Sequence, residues 1–118
     1  MTQWNDTQPI FLQIRQRIVE LILKGLAPEG EPLPSVRQVS TELSVNPLTV
    51  TKAFQALVDA GIVEKRRGLG MYVTAGAQEK LLRQEREKFL AEDWPRIMQQ
   101  VEALGLDVTE LLNKEAGK

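Results

Sequence analysis

The chain has 118 residues, of which 42% are hydrophobic and 26% are charged, and its net charge is −1. This composition predicts a soluble globular protein in the cytoplasm, with no apolar stretch that could span a membrane and no signal peptide in residues 1–6. The absence of cysteine and histidine excludes disulfides, thiolate metal sites and the usual general base of an enzyme. Neither a metal nor another cofactor is predicted.

The first predicted element is an amphipathic helix. Apolar residues recur from Ile10 to Ile22 with spacings of three and four, and Gly25 then provides a stop. Three prolines between residues 28 and 34 predict a connector, because proline lacks a backbone donor and disfavours helix in the residue before it.

A short helix and a longer helix follow the connector, separated by a tight turn. Ser35 is a typical N-cap for the first helix, which is predicted to end near Leu43. Asn46 and Pro47 suit the N-cap and first position of the second helix, which ends before Gly61. Two helices joined in this way predict a helix-turn-helix, whose second helix can lie in the major groove of DNA.

A basic hairpin is predicted next. Two short β-prone segments, residues 62–66 and 71–73, flank a turn that contains Gly68 and Gly70. The consecutive cations at 65–67 could neutralise phosphates, and the glycines would let the backbone approach the DNA. Each of these features alone is typical of ordinary protein surface, but their order and spacing together indicate DNA binding.

The remaining residues predict a helical tail after a linker at residues 75–77. Apolar residues from Leu90 to Leu104 alternate spacings of four and three, which forms a heptad-like seam. Pro95 interrupts the seam, so the helix is either kinked there or replaced by a new one. A last short helix is predicted at residues 108–114.

The chain resembles the GntR family of bacterial transcription regulators over residues 9–76. Residues 9–14 resemble that family's first-helix opening, residues 33–37 its Leu-Pro-Ser-x-Arg signature, residues 45–57 its recognition helix and residues 61–73 its wing. The short tail resembles the YtrA subfamily, in which such a tail serves dimerisation. Two helices of this length cannot by themselves enclose a cavity of roughly 300 Å³ for a ligand, and their apolar faces need a partner.

The resemblance implies a mainly α-helical fold with one small β-hairpin, namely a winged helix-turn-helix at residues 9–76 and a helical dimerisation tail at residues 77–118. It implies a transcription regulator rather than an enzyme, most simply a homodimeric repressor bound to an inverted-repeat operator in double-stranded DNA. The implied DNA contacts are Ser35, Arg37, Asn46, Leu48, Thr49, Thr51, Lys52, Arg67, Gly68 and Gly70. The predicted dimer contacts are Leu82, Phe89, Leu90, Trp94, Ile97, Val101, Leu104 and Leu111.

Several alternatives stay open from the sequence. Some family members carry arginine where this chain has Thr51, so the strong guanine contact that arginine gives is absent and the preferred operator is not specified. The winged helix could bind a protein instead of DNA, and the tail could fold back on its own domain. A small-molecule effector of unknown identity could bind at the dimer interface near Phe89 or Trp94.

Overall fold

The computed structural model describes Trp4 and residues 6–116; the other residues, which include part of the segment where no signal peptide is predicted, lie outside the described residues. In chain order the elements are α1 (Ile10–Leu23), α2 (Val36–Leu43), α3 (Pro47–Asp59), β1 (Val63–Arg66), β2 (Gly70–Val73), α4 (Ala77–Lys88), a π-helical turn (Phe89–Asp93), α5 (Trp94–Ala103) and α6 (Val108–Ala116). The predicted mainly α-helical fold with one hairpin is confirmed. Within this described part, no helix is both long and apolar enough to cross a bilayer.

The chain divides after Leu82 into two compact units, which we call the first and the second unit. The core of the first unit forms where α1 and α3 pack together, and Ile14, Ile22, Phe54 and Leu57 are completely or almost completely buried there. With the buried Ile18 between the first two, they recur at three- and four-residue spacings on their helices, so each helix directs one apolar face inward.

The first unit extends further along the chain than the sequence indicated. A linker was expected at residues 75–77 and a boundary after residue 76, but α4 begins at Ala77. Ala77 and Leu81 lie one helical turn apart, and both are fully buried in the core of the first unit. Burial of these two side chains is the physical reason that the opening of α4 belongs to this unit.

The connector between α1 and α2 pairs with the hairpin. Strands β1 and β2 are antiparallel, with Val63 opposite Val73. Beyond them, the backbone N–H of Gly30 donates to the Val73 carbonyl at 2.8 Å, and that of Leu33 donates to the Met71 carbonyl at 2.8 Å. The prolines of the connector therefore do not prevent pairing, because the donors that are used lie between them.

Glu29 joins the connector to the start of α4. Its carboxylate accepts hydrogen bonds from the backbone N–H groups of Gly76 at 2.8 Å and Gln78 at 3.3 Å. A carboxylate is favourable at this position because the first N–H groups of a helix lack intrahelical partners and carry partial positive charge.

The second unit continues as a helix through Pro95. Helical dihedral angles persist at Asp93 and Trp94, and the Trp94 N–H donates to the carbonyl of Phe89, five residues earlier. Proline cannot donate a hydrogen bond, and its ring crowds the carbonyl four residues before it. The wider π-helical turn relieves this conflict, so α4 is followed directly by the π-helical turn and α5, with no non-helical residue at Pro95.

Candidate nucleic-acid interface

The turn between α2 and α3 is fastened to α2 by hydrogen bonds. Ser44 has a left-handed backbone conformation (φ 55°, ψ 47°), and the Val45 N–H donates to the Ser40 carbonyl at 3.0 Å. The Ser40 hydroxyl in turn donates to the Val45 carbonyl at 2.6 Å. These local bonds fix the direction in which α3 leaves the turn, so the helix-turn-helix is held rigidly.

The start of α2 has the chemistry of an anion site. Ser35 Oγ accepts from the Gln38 N–H at 3.0 Å, while the Ser35 N–H donates to Gln38 Oε1 at 2.8 Å, which completes the capping box. Among the described residues the Ser35 hydroxyl proton has no acceptor, so it can be donated to a phosphate oxygen. Arg37 is exposed beside it and forms no ion pair with any residue that the structure describes.

The first turn of α3 presents fewer hydrogen-bonding groups than its sequence suggests. Asn46 Oδ1 accepts from the Leu48 N–H at 2.8 Å, so the amide NH₂ of Asn46 and one remaining acceptor site on Oδ1 are left for a ligand. The Thr51 hydroxyl donates to the Pro47 carbonyl at 3.0 Å, so its oxygen can act toward a ligand only as an acceptor. Leu48 is 78% exposed, whereas Thr49 is half-buried.

Lys52 contacts an aromatic ring of α1. Its Nζ lies 4.3 Å from the centre of the Phe11 ring, a distance at which a cation is attracted to the face of the ring. Phe11 belongs to the predicted first-helix opening, but the sequence did not identify it as a partner of Lys52. The contact restricts the lysine side chain before any ligand arrives.

Two neighbouring arginines at the hairpin tip, Arg66 and Arg67, differ in whether their charge is paired. Arg66 forms an ion pair with Glu64 at 2.9 Å and lies over the Tyr72 ring at 4.1 Å, so its charge is already partnered. Arg67 is exposed and has no ion-pair partner among the residues described. Gly68 and Gly70 have positive φ values of 77° and 106°, and the space beside them is open.

All ten predicted DNA-contact residues lie in the first unit, and every one except Thr49 is exposed. They form three groups, at the start of α2, on the first two turns of α3 and at the hairpin tip. Helix α3 packs against both α2 and β1, so the three groups lie on elements that contact one another. We call these three groups together the basic face.

The predicted dimer contacts lie in the second unit, except for Leu82 at the end of the first. Phe89 and Trp94 lie beside each other, with ring centroids 6.2 Å apart, because the π-helical turn brings residues five apart onto one side. The remaining predicted contacts are exposed or at most half-buried: Leu82, Leu90, Ile97, Val101, Leu104 and Leu111.

A cavity of about 340 Å³ lies in the first unit, lined by residues of α1, α2 and the connector and by Phe54 of α3. Its walls are mainly apolar, and charged side chains such as Arg17 and Glu42 contribute to the lining. This position differs from Phe89 and Trp94, the residues near which an effector could bind at the predicted dimer interface.

Comparison with known proteins gives consistent matches. Residues 11–73 match the family model described as GntR, bacterial regulatory proteins, gntR family. The chain is 43% identical to the HTH-type transcriptional repressor YtrA of Bacillus subtilis over 77 residues, which cover 65% of this chain and 59% of YtrA. It is 34% identical to the HTH-type transcriptional regulator YhcF of the same organism over 111 residues, which cover 93% of this chain and 89% of YhcF.

Among solved structures, a GntR family transcriptional regulator from Listeria monocytogenes superposes with a TM-score of 0.78 at 26% identity. The superposition covers 98% of this chain and 99% of that one. The similarity therefore includes both units of the chain and is not restricted to the helix-turn-helix.

Proposed function

Because the chain belongs to the GntR family of bacterial regulatory proteins, we propose that it is a sequence-specific DNA-binding transcription regulator that works in the cytoplasm as a homodimer. The observation that carries this proposal is the exposed first turn of α3. It is positioned by the Asn46 cap and by the hydrogen bond between Ser40 and Val45 in the preceding turn. An exposed and rigidly positioned N-terminal turn is the part of a recognition helix that reaches base edges in the major groove.

The three groups of the basic face have different roles in this proposal. Ser35 and Arg37 bind one phosphate, aided by the positive end of the α2 dipole. Contacts inside the major groove come from the first turns of α3 and consist of Asn46, Leu48, Thr49, Thr51 and Lys52. The wing, which comprises β1, β2 and the turn between them, contacts the DNA backbone or the minor groove through Arg67, Gly68 and Gly70.

Replacement of Arg37 and Arg67, the two arginines of the basic face, tests the DNA contacts. Footprinting on the promoter region of the protein's own gene first defines an operator, and fluorescence anisotropy then measures affinity for it. One charge-assisted hydrogen bond contributes about 1.5–3 kcal/mol, so Arg37→Ala with Arg67→Ala, which removes two, is expected to weaken binding by at least about 100-fold. The slope of log affinity against log salt concentration should fall by about two, since two phosphate contacts are lost.

The matched control removes two exposed arginines from α4, Arg83 and Arg86, and should leave operator affinity within about twofold. If the Arg37→Ala, Arg67→Ala protein binds the operator as tightly as the unaltered protein, the basic face is not a DNA interface. A winged helix that binds another protein would then become the better explanation.

The proposed homodimer follows from the second unit. None of its described side chains is buried, yet it carries large apolar residues such as Phe89, Leu90 and Leu104. A helical segment of this kind gains stability when a second copy covers its apolar face. The proposed contacts are Leu82, Phe89, Leu90, Trp94, Ile97, Val101, Leu104 and Leu111.

A homodimer with two-fold symmetry would bind an inverted repeat whose half-sites lie one helical turn apart, about 34 Å, or a multiple of it. Sedimentation velocity should detect a dimer for the unaltered protein and a monomer for Leu104→Asp, because that change introduces a charge into the apolar face. Gln99→Asp adds the same charge at an exposed polar position and should remain dimeric. A footprint over one isolated half-site would contradict the symmetric arrangement.

Repression is the simplest regulatory effect of such a dimer, since a protein bound to a promoter blocks access of RNA polymerase. The curated relative YtrA carries the word repressor in its name. A transcription assay with the footprinted promoter tests this part of the proposal. Lower transcript levels with increasing protein support repression, and higher levels would indicate an activator.

A further inference from the structure

Leu48 is the second residue of α3 and is 78% exposed, the highest value among the large apolar side chains that the structure describes. It precedes the buried Val50 by two residues, so it lies about 200° around the helix from that core position. The side chain is therefore on the outer face of α3, away from the core of the first unit.

Part of the hydrogen-bonding capacity around Leu48 is used within the fold. Asn46 Oδ1 accepts from the Leu48 N–H, and the Thr51 hydroxyl donates its proton to the Pro47 carbonyl. The Lys52 amine lies over the Phe11 ring. Apolar contact is thus a larger share of the contacts that this turn can make with a ligand than its polar residues suggest.

Single exposed leucines are common on protein surfaces and carry no meaning by themselves. The position of Leu48 makes its exposure significant, because the first turn of a recognition helix faces base edges in the major groove. A leucine cannot donate or accept a hydrogen bond there. The C5-methyl group of thymine is the apolar group that a base presents in that groove.

We propose that Leu48 is a specificity-determining residue that contacts the C5-methyl group of one thymine in each half-site of the operator. The inference rests on the proposed DNA-binding function and adds the chemistry of one base contact to it. It assigns part of the sequence preference to apolar contact, in a turn where arginine is absent from position 51.

Replacing thymine by deoxyuridine removes only this methyl group and tests the contact directly. Each thymine of one half-site in the footprinted operator is replaced in turn, and anisotropy measures the affinity of the unaltered protein for each duplex. We expect one position at which the replacement weakens binding about fourfold, the value for one buried methylene-sized group. The Leu48→Ala protein should bind the thymine and deoxyuridine duplexes with equal affinity at that position.

Leu26 provides the matched control, because it is also an exposed leucine, at 70%, but lies just after α1 and outside the basic face. Leu26→Ala should retain the fourfold difference between the two duplexes. Circular dichroism and the urea midpoint of Leu48→Ala should match those of the unaltered protein, since the side chain makes few contacts within the fold.

Two results would overturn the inference: no thymine whose demethylation weakens binding, or an undiminished difference between the duplexes in the Leu48→Ala protein. The second result would mean that another residue contacts the methyl group. Failure of the unaltered protein to bind any DNA is a separate outcome, which contradicts the proposed function as well. A protein that binds its operator without any dependence on the methyl group contradicts only the role of Leu48.

Discussion

The two units of the chain differ in where their large apolar side chains lie. In the first unit many of them converge, so that residues such as Phe54 and Leu57 are completely buried between helices. In the second unit, no described side chain is buried, and Leu104 is 72% exposed. The first unit has the core that a fold requires within one chain, whereas the second has apolar surface without a core.

This difference indicates that the two units obtain their stability from different sources. The first should unfold cooperatively and independently of protein concentration, as small domains with one core do. The second should be stabilised by association, so its stability should rise with protein concentration. The following experiments test that distinction, beginning with the one of largest expected effect.

The largest difference in stability between the two units is expected when they are produced as separate fragments. We expect the fragment of residues 1–82 to give a cooperative thermal transition, because the described core lies within it. The fragment of residues 83–118 should lose most of its helical circular dichroism signal at low micromolar concentration, since most of the stability of an amphipathic helix comes from packing of its apolar face, which is not buried within this unit. A stable, concentration-independent helical signal from that fragment would contradict the conclusion that association stabilises the second unit.

Truncation of a buried leucine should have the next largest effect. Leu57 is fully buried on α3, so Leu57→Ala removes apolar contacts and leaves a cavity. We expect a loss of about 2–5 kcal/mol in the free energy of unfolding, measured by urea denaturation at several protein concentrations. The loss should be the same at each concentration, and a loss below about 1 kcal/mol would mean that the core adapts to the cavity or is less tightly packed.

The cap of α3 should contribute a smaller amount to the same unit. Asn46→Ala removes the acceptor for the Leu48 N–H, and N-cap replacements of this kind cost about 1 kcal/mol. Urea denaturation measures the cost. Asn46→Asp retains the acceptor and should recover most of the lost stability, whereas equal losses for both variants would mean that the cap is not the cause.

The features that were predictable from the sequence are those determined by neighbouring residues. The caps at Ser35 and Asn46 were both identified, because a cap depends on residues only two or three positions away. The hairpin was identified for the same reason, since its two strands are joined by a turn containing Gly68 and Gly70. The helix-turn-helix, and with it the elements that carry the predicted DNA contacts, followed from these local signals.

The features that the sequence did not predict depend on residues far apart in the chain. Glu29 caps the start of α4 from 47 residues away at Gly76, and Phe11 contacts Lys52 on another helix. No local pattern contains such pairs. The role of Thr51 was not evident either, because a threonine hydroxyl can bond to the helix backbone or point outward, and both conformations fit the same sequence.

The smallest expected effect comes from the counterpart of Leu57 in the second unit. Leu104→Ala replaces the same residue type, but at a position that is 72% exposed. At concentrations low enough to keep the protein monomeric, the change should alter the free energy of unfolding by no more than about 0.5 kcal/mol. At concentrations where the protein associates, Leu104→Ala should lower the midpoint of urea denaturation, since the leucine would then be covered by a second copy. The concentration dependence separates the two sources of stability, and equal effects of Leu104→Ala at all concentrations would mean that the apolar face is covered by its own chain.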